Sequence, residues 1–175
     1  LIITDLDNTI IGGEVGETLH KDIKADIDSP EGKFFIAIQE RLLLLKKSGI
    51  LLALCSKNEE INVKNFFKFK KNMPLKLNDF IIKKINWKNK VDNITFILKE
   101  LNLKQENTLF IDDSSYERSL INKMFPKMKI FGFSKNLKNY VEEFLNLDFI
   151  KLKKISKIDK IRSKLYLANY KRKIF

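Results

Sequence analysis

The sequence is poor in the residues that cross-link, break or loosen a chain. Among 175 residues it has one cysteine, Cys55, together with three prolines and six glycines. A single cysteine excludes an internal disulfide and suits a reducing compartment, so we expect a cytoplasmic protein. The low proline and glycine content, with 44% hydrophobic and 32% charged residues, is typical of a globular domain.

Long apolar segments are also missing. No run reaches the roughly 18 apolar residues that a transmembrane helix needs. No positively charged secretory leader precedes the first apolar stretch, residues 1–3. The sequence therefore predicts no membrane span. Because it begins without methionine inside an expected strand, we interpret it as a piece of a longer protein.

Acidic residues are scarce at the carboxyl-terminal end. Residues 151–175 contain ten basic side chains and one acidic side chain, Asp159, and so carry +9 of the chain's net charge of +12. Such a segment could meet a phosphorylated metabolite, nucleic acid or an acidic protein. Since charge alone is not specific, we favour a solvated, basic helix face, and we expect no nucleic-acid partner.

Strand-like and helix-like segments alternate along the chain, which is typical of a parallel sheet with crossover helices. The predicted strands are residues 1–5, 50–55, 80–85, 108–111 and 128–133. The predicted helices are residues 30–47, 58–70, 91–101, 115–125 and 137–147. We therefore predict an α/β domain over residues 1–147, followed by a basic, helical extension over residues 148–175.

The segment between the first strand and the first helix is short. Residues 9–29 contain the paired glycines Gly12-Gly13 and are too few for a separate cap domain. They predict a hairpin flap beside the first strand. The segment ends at Ser29-Pro30, a pair typical of a helix N-terminus.

The most specific feature of the chain is the end of the first strand, Asp5-Leu6-Asp7-Asn8-Thr9. Ligands and chemistry gather at the carboxyl ends of strands in open α/β sheets. Two carboxylates one residue apart, placed there beside a divalent cation, suit phosphoryl transfer through an aspartate nucleophile. The same residue types are also common in an ordinary turn, so the interpretation depends on what the later strand ends carry.

The second strand is followed by Ser56, just before the segment Asn58-Glu59-Glu60 that opens the next helix. A hydroxyl group with free backbone N–H groups at a helix N-terminus forms an anion site. Ser56 and Glu59 also fit a capping box, and that structural role is compatible with phosphate binding.

The loop before the third helix supplies Lys90, whose ammonium would neutralise a nucleophile and a phosphate together. In a lysine-rich chain this is weak support, and Lys88 is a competitor. The fourth strand leads into Asp112-Asp113. Two carboxylates there repel each other unless a cation lies among them, and a hard cation with oxygen ligands suggests Mg²⁺.

The order of these parts discriminates between protein classes. A response-regulator receiver domain uses similar groups, but its acidic pair ends the first strand, whereas Asp112-Asp113 come late here. The sequence instead resembles the haloacid dehalogenase (HAD) superfamily of aspartate-nucleophile phosphatases over nearly the whole chain, and more narrowly its FkbH-like branch, in phosphatase subfamily IIIC. The stretches that carry the resemblance are Asp5-Leu6-Asp7-Asn8-Thr9 with Gly12-Gly13 and Val15-Gly16-Glu17, Ser29-Pro30-Glu31-Gly32, Leu54-Cys55-Ser56-Lys57-Asn58, Asn86-Trp87-Lys88-Asn89-Lys90, and Phe110-Ile111-Asp112-Asp113 with Glu117-Arg118.

The resemblance implies a Rossmann-like, three-layer fold with a five-stranded parallel sheet and a flap in place of a cap domain. It implies that Asp5 attacks phosphorus and that Asp7 serves as the acid and base. It also implies that Thr9, Ser56 and Lys90 position the phosphoryl group. The Mg²⁺ ligands would be Asp5, the Asp7 carbonyl and Asp113, with Asp112 assisting through water.

Members of this branch suggest two pathways for the substrate. One takes a glyceryl unit from a phosphoglycerate-type metabolite and loads it on an acidic acyl carrier protein, and the other belongs to surface-polysaccharide synthesis.

Ile11 departs from the tryptophan that the branch often has beside the paired glycines, which puts the substrate contacts of the flap in doubt. Cys55 invites a role as thioester acceptor, but strand alternation favours a buried core cysteine. A non-catalytic docking module for an acidic partner is the alternative from another class.

Overall fold

The computed structural model describes residues 1–132 and 136–147, together with 161, 165–166, 168–170 and 172. Five strands and five helices alternate in these ranges. They are β1 (Ile2–Thr4), α1 (Pro30–Lys47), β2 (Leu52–Ser56), α2 (Glu60–Phe69), β3 (Ile82–Ile85), α3 (Lys90–Leu101), β4 (Leu109–Asp112), α4 (Ser115–Met124), β5 (Lys129–Gly132) and α5 (Leu137–Leu145). The predicted alternation is confirmed.

The strands form one parallel sheet in the order β3-β2-β1-β4-β5. The central strand, β1, is buried over its whole length, and Ile2 pairs with Leu52 on one side and with Leu109 on the other. Because the strands are parallel, their carboxyl ends lie at the same edge of the sheet. The predicted five-stranded parallel sheet is therefore confirmed.

Alternating side chains divide the core between the two faces of the sheet. On one face Ile2 and Leu54 belong to a cluster that includes Phe35 of α1, Phe66 of α2 and Tyr140 of α5. The opposite face holds a second cluster, whose members are Ile3, Leu51, Ala53, Cys55, Ile82, Ile94, Ile97, Leu101, Phe110, Ile121 and Met128. The domain therefore has three layers, with helices on both faces of the sheet.

The first helix begins where its residues predict. The Ser29 hydroxyl accepts a hydrogen bond from the backbone N–H of Gly32 at 3.0 Å, and Pro30 occupies the first turn. Gly49, just beyond the C-cap, has φ of 94°, a conformation that glycine adopts without strain.

Two element boundaries differ from the prediction at positions that concern the site. Strand β2 begins two residues later and ends one residue later than expected, and it includes Ser56 because Ser56 pairs with Ile85 of β3. Helix α3 begins at Lys90 itself, since the Asn89 side chain caps it by accepting from Val91 N–H at 2.8 Å. Lys90 is thus the first helical residue and not part of the preceding loop.

The flap over residues 10–26 is held by few backbone bonds. Gly12 and Lys24 exchange two N–H···O bonds of 2.9 and 2.8 Å, so the predicted hairpin flap has one antiparallel pair at these residues. Two side chains anchor the flap to the domain. The buried Gln39 amide donates to the carbonyl of Ile10 at 2.9 Å, and Lys70 forms a 2.6 Å ion pair with Asp26.

Some predictions fall beyond what the structure describes. Phe133, the last residue of the predicted fifth strand, and residues 148–160 lie outside the described residues. In the remainder of the basic extension, the described residues have helical backbone: Ile161, Leu165, Tyr166, Ala168, Asn169, Tyr170 and Arg172. The division at residue 147 stays a prediction. Within the described ranges, every helix is too short or too polar to cross a membrane.

Candidate active site

The side chains for which the sequence predicts a chemical role lie at the carboxyl edge of the sheet. Asp5 follows β1, Ser56 ends β2, Lys90 begins α3 after β3, and Asp112 ends β4. These residues are more than a hundred positions apart at the extremes, yet parallel strands bring them to one edge.

Lys90 connects the first and fourth strands. Its Nζ lies 2.9 Å from Oδ1 of Asp5 and 2.6 Å from Oδ2 of Asp112. All three side chains are buried, with exposed fractions of 5%, 8% and 0%. Burial alone favours the neutral amine, but the two carboxylates outweigh it and hold the pKa of Lys90 above its usual value.

The two neighbouring carboxyl groups at the end of β4, those of Asp112 and Asp113, are both harder to ionise than a free aspartate. Burial, followed by the negative charge of Asp5, raises the pKa of Asp112 to about 6 although Lys90 opposes the change. The same two causes raise the pKa of Asp113. Carboxylate oxygens of Asp5, Asp112 and Asp113 lie within 4.8 Å of one another. Such a set fits a hard cation with oxygen ligands.

Thr9 holds the loop after β1 against the loop after β4. The backbone N–H of Asp113 donates to the Thr9 hydroxyl at 3.1 Å, and this hydroxyl lies 3.4 Å from Oδ1 of Asp113. The loop after β1 turns at Asn8, whose φ of 52° is left-handed, a conformation that asparagine tolerates. Thr9 therefore holds Asp113 in place, and its role in binding a phosphoryl group stays a prediction.

Asp7 lies two residues after Asp5 and is held from two sides. Its Oδ2 accepts a 2.6 Å hydrogen bond from Nδ2 of Asn58, and its Oδ1 accepts one of 3.1 Å from Val15 N–H in the flap. Burial raises the pKa of Asp7 to about 7, in opposition to these two hydrogen bonds, and the negative charge of Asp5 adds to the rise. The Asp7 carboxyl therefore keeps its proton to a higher pH than a free aspartate does.

The capping box predicted for α2 is wrong. The Ser56 hydroxyl accepts from Nδ2 of Asn58 at 3.1 Å, and Glu59 caps α2 without a side-chain hydrogen bond. The Glu59 carboxylate instead accepts from Nε1 of Trp87 at 2.7 Å. Ser56 is buried at the carboxyl edge, and its hydroxyl pairs with the Asn58 side chain and not with a backbone N–H of the helix.

A pocket of about 370 Å³ opens in front of these groups. Its size is within the range of small-molecule sites. Asp5, Asp7 and Asp113 line its floor, and Lys57, Asn62 and Trp87 are among the residues that line the rest. The competitor Lys88 forms no part of this lining and is exposed.

Three residues at the site were not assigned a role from the sequence. Asn58 bonds to Asp7, as described above. Nη1 of Arg118 donates to the carbonyl oxygens of Asp112 and Asp113 at 2.8 and 2.6 Å. Glu117 forms a 2.6 Å ion pair with Lys57. All three lie in stretches of the sequence that resemble the FkbH-like branch, and this resemblance was the signal that could have identified them. No rule of residue spacing connects them to their partners.

The fold is shared with a solved phosphatase domain. The chain matches the N-terminal part of protein BF1531 from Bacteroides fragilis, which contains a phosphatase domain and was crystallised with Mg, at 36% identity and a TM-score of 0.78. The chain has a HAD-type fold. The match covers 83% of this chain and 39% of the Bacteroides fragilis chain, so the HAD-type domain spans less than half of that relative.

A second solved structure is more distant from this HAD-type domain. It is 3-deoxy-D-manno-octulosonate 8-phosphate phosphatase from Moraxella catarrhalis, in complex with magnesium, phosphate and a sugar acid. The match has 13% identity and a TM-score of 0.45, over 97% of this chain and 91% of that one. At this level it says nothing about the site. No protein-family model and no curated protein matches the chain.

Proposed function

We propose that this domain is a Mg²⁺-dependent phosphatase that acts on a small phosphorylated metabolite through an aspartyl-phosphate on Asp5. One observation carries the proposal. The Asp5 carboxylate lines the pocket, contacts the Lys90 ammonium, and has an oxygen within 4.8 Å of carboxylate oxygens of Asp112 and Asp113, close enough for the three to share a cation. A nucleophile, a countercharge and a cation site at one point are what phosphoryl transfer requires.

The donor set fits Mg²⁺ on chemical grounds. Asp5, Asp112 and Asp113 supply carboxylate oxygens, while Lys90 supplies a single positive charge that is shared between Asp5 and Asp112. Asp113 has Thr9 as a partner but no ion pair is found for it within the described ranges. Bound Mg²⁺ would neutralise the charge that develops on the phosphoryl oxygens, with the Asp7 carbonyl as a further ligand.

The proposed reaction has two steps, formation of the aspartyl-phosphate and its hydrolysis. Asp5 forms a bond to phosphorus while the bond from phosphorus to the leaving oxygen breaks, and Asp7 gives its proton to that oxygen. Water then attacks the aspartyl-phosphate, and Asp7 accepts a proton from it, which releases phosphate and restores Asp5. Thr9 and Ser56 would hold the phosphoryl group, and Lys90 offsets the charge of Asp5.

A hydrolysis assay tests the proposal. The chain is offered p-nitrophenyl phosphate and a panel of sugar and glycerate phosphates, with Mg²⁺ or with a chelator. We expect turnover that requires Mg²⁺ and that Asp5→Asn abolishes, while Asp22→Asn, an exposed flap position, leaves it unchanged. Turnover that survives Asp5→Asn would remove Asp5 as the nucleophile.

A narrower version of this function follows from the FkbH-like stretches and the basic segment. We propose that the substrate is a phosphoglycerate-type metabolite and that the glyceryl group passes to an acidic acyl carrier protein. The +9 charge of residues 151–175 supports an acidic partner. Cys55 is fully buried, which argues that the acceptor thiol belongs to the carrier. Mass spectrometry of a carrier protein after incubation separates transfer from hydrolysis.

The same experiments also test two alternative functions of the domain. Preferential hydrolysis of sugar phosphates would favour a role in surface-polysaccharide synthesis. Capture of an acidic partner that is insensitive to Asp5→Asn, but lost when residues 151–175 are deleted, would favour a non-catalytic docking module. A docking module that has lost its activity would be expected to lack one of these residues. The presence of Asp5, Asp7, Lys90 and Asp113 together argues against it.

A further inference from the structure

The amide of Asn58 joins two groups of the site that come from different strands. Asn58 lies in the loop between β2 and α2 and is 4% exposed. Its Nδ2 lies 2.6 Å from Oδ2 of Asp7 and 3.1 Å from the Ser56 hydroxyl. The amide therefore links the acid/base carboxyl to the hydroxyl that would hold the phosphoryl group.

An ordinary structural role does not account for these contacts. An asparagine just before a helix is a common N-cap residue, but Glu59 occupies the cap of α2. The Asn58 side chain is turned instead towards Asp7 and Ser56. A buried amide needs hydrogen-bond partners. Both partners of the Asn58 amide nitrogen are residues of the site, which indicates a role for Asn58 there.

The other oxygen of Asp7 is fixed as well. The flap supplies the backbone N–H of Val15, which donates to Oδ1 at 3.1 Å. Asp7 is thus held between the flap and the β2–α2 loop. A carboxyl group that transfers a proton must lie within hydrogen-bond reach of the reacting oxygen. A displacement of about 1 Å at such a group lowers the rate about 100-fold.

We propose that Asn58 is a positioning residue that holds the Asp7 carboxyl towards the leaving oxygen and ties it to Ser56. This inference rests on the proposed phosphatase function. It predicts a specific dependence on the leaving group. Phenolate is a strong base and needs a proton as it departs, whereas p-nitrophenolate is a weak base and leaves without one. Loss of Asn58 should therefore affect phenyl phosphate far more than p-nitrophenyl phosphate.

The test measures kcat/KM for these two probes, which differ little in shape. This parameter reports the steps up to departure of the leaving group and is insensitive to the later hydrolysis of the phosphoenzyme. We expect Asn58→Ala to lower kcat/KM about 100-fold for phenyl phosphate and much less for p-nitrophenyl phosphate. The control Asn65→Ala, an exposed asparagine of α2, should change neither value.

A double variant shows whether Asn58 acts through Asp7. If it does, Asp7→Asn combined with Asn58→Ala should hydrolyse phenyl phosphate as fast as Asp7→Asn alone. Thermal unfolding establishes that each variant is folded. If Asn58→Ala does not fold, Asn58→Ser, which keeps a small polar side chain in the loop, takes its place.

The outcomes separate the two proposals. Equal losses on both probes, no loss on either, or additive losses in the double variant would overturn the role of Asn58 and leave the phosphatase proposal intact. Failure of the unaltered chain to hydrolyse either probe with Mg²⁺ would overturn the proposed function and this inference with it. A loss confined to phenyl phosphate, and absent in the Asp7→Asn background, supports both.

Discussion

The ammonium of Lys90 lies 2.9 Å from the carboxylate of Asp5, and both side chains are almost completely excluded from solvent. Asp112 completes the group at 2.6 Å from the same ammonium. A buried ion pair adds little stability by itself, but removal of one member leaves an uncompensated charge. The contact therefore makes the stability of the domain depend on the residues of its site.

Replacement of Lys90 by methionine should destabilise the domain in the absence of divalent metal. Two buried carboxylates lose their countercharge, and we expect the free energy of unfolding to fall by about 3–5 kcal/mol. Urea denaturation with a chelator present measures this change. The matched control is Lys64→Met, which removes an exposed pair with Glu60 and should change stability by less than about 1 kcal/mol. Equal effects of the two substitutions would contradict the prediction.

Cys55 should resist alkylation in the folded protein. The side chain is fully buried beside Ala53 and Ile3, and burial is the main cause that raises the pKa of its thiol to about 12. The thiolate that reacts with iodoacetamide is therefore nearly absent at pH 8. Mass spectrometry should find no adduct in the folded chain and one adduct per chain in urea. Rapid labelling of the folded chain would reopen a role for Cys55 as an acyl acceptor.

The ion pair between Lys70 and Asp26 should make the anchoring of the flap sensitive to acid. Burial opposes ionisation of Asp26, but hydrogen bonds from Lys70 and from Asp28 N–H, with the charge of Lys70, hold its pKa below the usual value. A depressed carboxyl pKa contributes stability above the unfolded value of about 3.9. That contribution is lost as the pH falls through the folded value.

The comparison of the unaltered chain with Asp26→Asn isolates this contribution. At pH 7 the unaltered chain should be more stable by about 1 kcal/mol, since the pair is partly exposed. The difference should shrink as the pH falls below about 4 and vanish once Asp26 is protonated in both states. Urea denaturation at several pH values measures it. A difference that is independent of pH would show that the charge of Asp26 is not what matters.

Much of the site could be predicted because the ends of the strands can be recognised in the sequence. Apolar runs followed by Asp5, Ser56 and Asp112 identify the residues at the carboxyl edge, and parallel topology brings them together. Lys90 was weaker as a prediction, because nothing in the pattern separates it from Lys88. The fold separates them, since a first-turn position of α3 directs Lys90 inwards to Asp5.

The polar side chains that support the site were not predictable in the same way. Asn58 reads as a helix-start residue, and its bond to Asp7 joins two loops that are 51 residues apart in the sequence. Arg118 reaches the carbonyls of Asp112 and Asp113 because Gly132 leaves space for its side chain; a Cβ there would collide with Nε. Such contacts arise from tertiary packing, which local patterns do not encode.

Mg²⁺ should stabilise the domain through Asp113, whose carboxylate faces the pocket. A ligand that binds only the folded state adds about 2.7 kcal/mol at a concentration 100-fold above its Kd. We expect Tm to rise with Mg²⁺ concentration, and titration calorimetry to give one site. Asp113→Asn keeps the shape of the side chain but removes an anionic oxygen, so both signals should weaken strongly. Asp92→Asn, an exposed position on α3, should retain both. If Asp113→Asn and the unaltered chain gave the same rise in Tm, the cation would bind elsewhere and Asp113 would not be its ligand.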